Sequence, residues 1–171
     1  MSGHASKVKH PHRLYTAAER RRRDESMWTI VQGVLAPLQF IVFAISLVLV
    51  WRYLAFGIGA EAATVSVVIK TLVLYAIMVT GSLWERDVFG RYLFARPFFW
   101  EDVVSMLVIA LHTAYLASVF FGLLDIRGQF YLALLAYLAY VINAAQFLIK
   151  LRMARREERA SATRSLAGAS G

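Results

Sequence analysis

The chain contains no cysteine, and only one of its four histidines, His112, lies in a long apolar run. Without cysteine there is no disulfide, no thiolate nucleophile and no cysteine-based zinc or iron–sulfur site. A haem held between two membrane histidines is also disfavoured, because such a site needs a second histidine within a span. Any chemistry in the apolar part of the chain must therefore use oxygen and nitrogen groups.

Hydrophobic residues are abundant, at 59% of 171 residues, and the mean hydropathy is +0.56. This composition is too apolar for an ordinary soluble domain and indicates an integral membrane protein. The formal net charge is +8, but the basic residues flank the apolar runs, as topology signals do. Because no basic and aromatic platform lies outside those runs, we expect no nucleic-acid binding.

Four apolar runs are each near the roughly 20 residues that a helix needs to cross a bilayer. They predict an all-α fold, an integral membrane four-helix bundle over residues 28–152. Pro37 falls inside the first run, where we expect a kink. The predicted spans are 28–51, 62–84, 99–121 and 129–150.

The segments outside the spans carry the topology signal. Lysine and arginine number seven in residues 1–27, three in 85–98 and six from Lys150 onward, but one in each of the other two loops. Since cytoplasmic loops are enriched in these residues, we expect the basic N-terminal segment and the C-terminus to be cytoplasmic. Residues 1–19 and the tail at 153–171 are expected to be disordered.

Polar side chains inside the predicted spans fall at two depths. Ionisable groups cost a few kcal/mol each in hydrocarbon, so a chain that keeps them there usually has a use for them. At about 1.5 Å per residue, Glu85, Glu101 and Asp102 fall in the inner third of the bilayer on the cytoplasmic side. Lys70 and His112 lie about 12 to 13 Å in from the opposite face. The level of the three acidic residues also holds the amides Gln32, Asn143 and Gln146. The level of Lys70 and His112 also holds Gln39 and Tyr137.

Helical phase indicates which of these side chains face the bundle. Glu101 and His112 share one face of the third span with Ser105, because steps of four and seven residues return to the same side of a helix. The first span carries a stripe with a seven-residue repeat, and the fourth carries a ladder that ends in a boundary cation. These sets are Gln32, Gln39 and Ser46, and Tyr140, Asn143, Gln146 and Lys150.

Each of these polar groups also has a purely structural interpretation. Glutamine and asparagine ladders commonly join transmembrane helices at below about 1 kcal/mol per bond. Lys70 could extend toward the interface, and Glu85 could belong to a charge cluster at a helix end. Glu101 and Asp102 could complement the dipole of a helix N-terminus. His112 could be a hydrogen-bonded structural histidine.

The segment 88–100 interleaves six aromatic residues with Arg91 and Arg96. This pattern suits a segment in the headgroup region, where rings anchor and guanidinium groups meet anions. A large, flat, amphiphilic acid could reach the protein there and contact Arg91, Arg96 and Trp100. The alternative interpretation is an aromatic belt with cytoplasmic positive charges.

Four long runs resemble the 3-vinyl bacteriochlorophyllide hydratase family, also written 2-vinyl bacteriochlorophyllide hydratase, of bacteriochlorophyll biosynthesis. The resemblance covers roughly residues 20–152, including all four predicted spans, and leaves both tails outside. The runs are RRRDESMWTIVQGVLAPLQF at 21–40, VIKTLVLYAIMVTGSLWE at 68–85, FFWEDVVSMLVIALHTAYL at 98–116 and YVINAAQFLIKLR at 140–152.

The resemblance implies a membrane hydro-lyase that adds water to the C3 vinyl group of chlorophyllide a or 3-vinyl bacteriochlorophyllide, giving a 3-(1-hydroxyethyl) product. It implies no cofactor, since magnesium arrives within the tetrapyrrole, and a place in the bacterial inner, photosynthetic membrane. It also implies contact with lipid and is compatible with contact with other enzymes of the pathway. It transfers no residue roles, and the oligomeric state stays open.

The reaction itself suggests roles. Hydration needs a proton on the terminal carbon and water at the carbon next to the ring, and therefore an acid and a base. We expect Glu101 to pair with Glu85 for this work, with Asp102 in reserve, because adjacent helical residues diverge by about 100°. His112 lies about 16 Å from Glu101 along the helix. We expect His112 to ligate the substrate magnesium or to position the ring, with Lys70 at the same depth.

Two other classes of function are considered. A non-catalytic chlorophyllide carrier or assembly subunit would need the same aromatic access route and the same histidine. A small ion transporter would use Lys70 and the two polar levels, but the chain has no pair of broken helices of the usual transporter kind. Product formation separates a hydratase from a carrier.

Overall fold

The computed structural model describes residues 14–169, and that part of the chain is all-helical, with five helices and no strand. The predicted all-α fold is confirmed. The predicted helical spans each lie within a long helix, and one short helix precedes them. The helices are α1 (Ala17–Glu25), α2 (Met27–Phe56), α3 (Ala60–Phe89), α4 (Phe99–Phe121) and α5 (Ile126–Ala169).

Four of these helices, α2 to α5, are long and apolar enough to cross a membrane. Their outer faces carry large apolar side chains that are exposed, including Ile30 at 71% and Phe120 at 75%. Such a surface is unfavourable in water, whereas hydrocarbon accepts it, because each helix satisfies its own backbone hydrogen bonds. The protein is therefore a multi-pass membrane protein.

Local sequence explains where the helices begin and end. Thr16 caps α1 through a reciprocal pair of hydrogen bonds with Glu19, the arrangement known as a capping box. Helices α2 and α4 end at Gly57 and Gly122, which have positive φ values of 71° and 61°. A residue with a side chain adopts this conformation only at an energetic cost. The connections that follow are short, so successive helices run antiparallel.

The four spanning helices form two antiparallel hairpins. Helix α2 packs along α3 and α4 packs along α5, while α2 meets α5 and α3 meets α4 over shorter lengths. Apolar side chains from all four helices fill the centre. They include Phe43, Val50, Val67, Leu74, Val108, Tyr115, Phe130, Tyr137 and Tyr140.

The helices extend beyond the predicted spans, most of all at the C-terminus. The sequence predicts disorder over 153–171, but α5 continues to Ala169. The extension is rich in alanine, arginine and glutamate, which favour helix even when they are exposed. Residues 170–171 lie outside the described residues.

The predicted disorder of residues 1–19 is wrong where the structure describes them. Residues 17–19 belong to α1, and Tyr15 is 4% exposed because it packs against the rings of Phe89 and Phe98. Aromatic burial and the cap at Thr16 hold this segment to the bundle. Residues 1–13 lie outside the described residues.

Candidate active site

Three carboxyl side chains and one lysine come together where α3 ends and α4 begins. Glu85 lies in the last turns of α3, Glu101 and Asp102 in the first turn of α4, and Lys150 on α5. The three acidic residues are 5%, 7% and 3% exposed, respectively. We call these four residues the carboxyl cluster. Burial of so many acidic groups at one level is costly unless protons, cations or hydrogen bonds compensate for it.

Glu101 is paired with Lys150. The lysine Nζ lies 2.6 Å from Oε2 of Glu101, donates to the carbonyl of Pro97 and lies 5.1 Å from the centre of the Phe98 ring. These partners replace much of the water that an ammonium group loses on burial. Glu101 therefore lies against a cation that is fixed by its other contacts.

Glu85 and Asp102 interact with each other across the α3–α4 boundary. Both also accept hydrogen bonds from the backbone of the connection between these helices, Glu85 from the Ala95 amide at 3.2 Å and Asp102 from the Phe94 amide at 2.7 Å. A hydrogen bond between two carboxyl groups needs one proton, because two carboxylates offer no donor. This pair can therefore hold a shared proton.

Phe94 shows that the connection is strained and held in place. Its φ of 60° lies in the left-handed region, which residues other than glycine adopt at a cost. The hydrogen bond to Asp102 and the packing of Phe94 against Phe99, with ring centres 5.7 Å apart, stabilise that conformation. The buried carboxylate thus also fixes the loop that leads into α4.

The predicted pairing of Glu101 with Glu85 differs from the pairing in the structure, where Glu85 contacts Asp102. Adjacent helical residues do diverge, as expected, but α4 is covered on both sides at this level. Glu101 faces α5 and meets Lys150, while Asp102 faces α3. The sequence indicates the divergence and does not indicate which neighbouring helix lies on which side.

Aromatic rings pack beside the carboxyl cluster. Phe98 lies 5.6 Å from Trp84 and 6.0 Å from Phe147, centre to centre, and Tyr15 stacks on Phe89 at 5.8 Å. Tyr15 was not singled out from the sequence, since it lies far from any span. These rings make an apolar wall next to the buried acids.

The three residues predicted to meet a large amphiphilic substrate lie on the surface near this wall. Arg91 and Arg96, in the α3–α4 connection, are exposed, and Trp100 is 70% exposed at the start of α4. Tyr92 is also exposed, and Cζ of Arg86 lies over the Tyr92 ring, 5.0 Å from the ring centre. The structure therefore brings these side chains to the same end of the bundle as the carboxyl cluster.

Lys70 and His112 form a second cluster, deep between α3 and α4. Lys70 Nζ lies 2.7 Å from Nε2 of His112, and both residues are 0% exposed. The other ring nitrogen, Nδ1, donates to the carbonyl of Val108 at 2.8 Å, so Nε2 accepts from the lysine. Tyr140 lies 4.2 Å below the ammonium group and Tyr137 borders the histidine ring at 5.9 Å.

This geometry bears on the expected magnesium contact. The sequence places Lys70 and His112 at one depth, and the structure brings their side chains into direct contact. Both ring nitrogens are engaged within the protein. A magnesium ligand at Nε2 would require Lys70 to leave and the surrounding helices to separate. Within the described residues, no three histidine, aspartate or glutamate side chains gather as a metal site of the protein's own.

Amide side chains divide into bonded and unbonded groups. Gln32 donates to the Ile77 carbonyl at 3.2 Å and to Thr80 at 2.7 Å, which joins α2 to α3. Asn143 donates from Nδ2 to Ser105 at 2.8 Å, which joins α5 to α4. The carbonyl oxygens of Asn143 and Gln146 are buried, and within residues 14–169 neither has a hydrogen-bond donor. A hydrogen bond that joins two helices accounts for the burial of the Gln32 amide, but not for the burial of these two oxygens.

A model of the 2-vinyl bacteriochlorophyllide hydratase family matches residues 15–153. The chain belongs to this family. It is 63% identical to the 2-vinyl bacteriochlorophyllide hydratase of Rhodobacter capsulatus over 142 residues, which cover 83% of this chain and 82% of the relative. It is 65% identical to the hydratase of that name from Cereibacter sphaeroides over 147 residues, 85% of this chain and 91% of the relative. No solved structure matches the chain.

The part of the chain that matches the 2-vinyl bacteriochlorophyllide hydratase family contains every element of the site. Its limits at 15–153 include Tyr15 of the aromatic wall and Lys150 of the carboxyl cluster. Hydration of a vinyl group calls for a proton donor and a proton acceptor near a flat apolar surface. The carboxyl cluster and its aromatic wall have those components, while the Lys70–His112 cluster has no exposed atom.

Proposed function

We propose that this protein adds water to the C3 vinyl group of chlorophyllide a or 3-vinyl bacteriochlorophyllide to give the 3-(1-hydroxyethyl) product. The observation that carries the proposal is the carboxyl cluster, in which two acids interact and a third is ion-paired. Family membership names the reaction, and this cluster offers the acid and base that the reaction needs. No group in the proposal changes oxidation state.

In the first step, the Glu85–Asp102 pair donates its shared proton to the terminal vinyl carbon. The carbon next to the ring then carries positive charge, which the macrocycle delocalises. The pair carries one negative charge before this step and two after it. The added charge arises as the cation forms, so the protein stabilises the transition state electrostatically in a site of low dielectric. The backbone amides of Phe94 and Ala95 stabilise the anionic charge left on the pair.

In the second step, water attacks the cationic carbon and Glu101 accepts the proton that the water loses. Lys150 holds the Glu101 side chain in place before that moment and stays beside it afterwards. One proton has left the Glu85–Asp102 pair and one has reached Glu101, so the sum is the addition of one water. A proton then passes from Glu101 back to the Glu85–Asp102 pair by way of water and resets the site.

The macrocycle is proposed to lie against the aromatic segment that includes Trp100, with its acidic groups near Arg91 and Arg96. These side chains are exposed at the same end of the bundle as the carboxyl cluster. We assign His112 and Lys70 to positioning α3 against α4, since neither side chain is accessible to a ligand of this size. The substrate magnesium then finds its ligand outside that cluster.

We also propose that both termini and the carboxyl cluster face the cytoplasm in the bacterial inner membrane. Basic residues are concentrated in residues 1–27, in 85–98 and after Lys150. The positive-inside rule assigns these three segments to the cytoplasmic side. The cluster then lies at the interface where protons arrive from the aqueous phase and an amphiphilic substrate arrives from the membrane surface.

The proposal is tested by incubating the purified full-length protein in lipid nanodiscs with chlorophyllide a. We expect the pigment to gain the mass of one water and its absorbance to shift as the vinyl group leaves conjugation. The Glu101→Gln variant should bind the pigment and form product at least about a hundredfold more slowly. Binding without product by the parent protein would favour the pigment carrier and overturn the proposal.

A further inference from the structure

We infer that Asn143 and Gln146 hold the water molecule that adds to the vinyl group. The inference rests on the proposed hydration and extends it to the site of the second reactant. Its basis is the pair of buried carbonyl oxygens on α5 that have no protein donor among the described residues.

Geometry places the two oxygens together. Asn143 and Gln146 are three residues apart on α5, so their side chains lie on one face of the helix, one above the other. Asn143 is 9% exposed, and its amide nitrogen is fixed by the Ser105 hydroxyl at 2.8 Å. With the nitrogen held there, the opposite end of the amide, the oxygen, is directed away from Ser105.

The position of the pair matches the second chemical step. Gln146 precedes Lys150 by one helical turn, and Ser105 follows Glu101 by one turn. The two side chains thus lie deeper in the bundle than Lys150, by about one turn for Gln146 and about two turns for Asn143. Asn143 is bonded to Ser105, one turn further into the bundle than Glu101, so a molecule held by these oxygens lies on the inner side of the carboxylate that is proposed to accept a proton from water.

The chemistry of the pair identifies the ligand. Two carbonyl oxygens accept hydrogen bonds and cannot donate them, so the ligand must present two donors at close range. Water has two donors and two lone pairs, and buried water typically bonds such otherwise unsatisfied polar groups. The vinyl group and the carbon framework next to it have no donor to offer. Held in this way, the water directs a lone pair toward the reacting carbon. As the C–O bond forms, one O–H bond breaks, and its proton leaves the amide oxygen that held it and passes to the Glu101 carboxylate.

The closing experiment compares Asn143→Leu and Gln146→Leu with Gln32→Leu. Gln32 is a matched control, because its amide is bonded to α3 and belongs to neither cluster. We expect each α5 variant to lower kcat about tenfold to a hundredfold with little change in the dissociation constant for chlorophyllide a. The control should keep kcat and lose only thermal stability.

Asn143→Ala adds a readout that a structural role would not move. Removing the amide leaves room for methanol, whose O–H can add across the vinyl group to give a 3-(1-methoxyethyl) product. In dilute methanol we expect the ratio of methoxyethyl to hydroxyethyl product to rise at least tenfold over the parent protein. The same ratio in Ala and parent, or parental kcat in both leucine variants, overturns the inference while the parent still hydrates. Failure of the parent to hydrate at all counts against the proposed function instead.

Discussion

Replacing Lys150 by methionine removes the cation beside Glu101 and keeps a side chain of similar length. Losing one partner of a fully buried ion pair costs about 3 to 5 kcal/mol. Here the lysine side chain is 22% exposed, so water reduces the penalty, and we take about 2 kcal/mol. If the whole of that energy is lost from the transition state, kcat falls about thirtyfold.

The effect on binding should be small, because the Lys150 ammonium group lies over the Phe98 ring and acts through Glu101. We therefore expect the dissociation constant for chlorophyllide a, measured by absorbance, to stay within about threefold of the parent value. Arg152→Met is the matched control, since this exposed cation lies two residues further along α5. It should leave both kcat and binding unchanged.

A double-mutant cycle tests whether Lys150 acts through Glu101. Once Glu101 is glutamine, the lysine has no carboxylate to hold, so Lys150→Met should add little to Glu101→Gln. Fully multiplicative losses in the double variant would refute the reasoning. An unchanged kcat in folded Lys150→Met would refute it as well.

The other predictions concern the remaining parts of the site. Asp102→Asn keeps an acceptor for the Phe94 amide but removes the shared proton. The rate in single-turnover assays should therefore fall at least about a hundredfold. A near-parental rate would exclude the Glu85–Asp102 pair as the acid. His112→Ala leaves Lys70 buried without its acceptor and should lower the free energy of unfolding by about 3 kcal/mol. Pigment affinity should stay unchanged. Weaker pigment binding by the folded variant would instead support magnesium ligation by His112. Trp100→Ala should raise KM about tenfold at constant kcat, and an unchanged KM would place the macrocycle elsewhere.

The fold could be read from the sequence to a large extent, because helices in a membrane are specified locally. Span length follows from bilayer thickness, and short loops ending in glycines such as Gly57 and Gly122 impose antiparallel neighbours. The long C-terminal helix and the docked Tyr15 were missed. Both depend on helix propensity or tertiary packing outside the apolar runs, which hydropathy does not report.

The site was only partly predictable for a related reason. Depth along a helix follows from residue counting, and it correctly puts Lys70 and His112 at one level. Which neighbouring helix a side chain faces depends on the order of the helices in the bundle. That order cannot be read from a single sequence. Hence the pairs Glu101–Lys150 and Glu85–Asp102 emerge only from the structure.

The central claim, hydration by the carboxyl cluster, is tested most directly by one turnover of chlorophyllide a in water labelled with both deuterium and oxygen-18. We expect one oxygen-18 on the carbon next to the ring and one deuterium in the new methyl group, with product formation strongly slowed in Glu101→Gln. Product without the oxygen label, deuterium on the carbon next to the ring, or equal rates for parent and variant would contradict it.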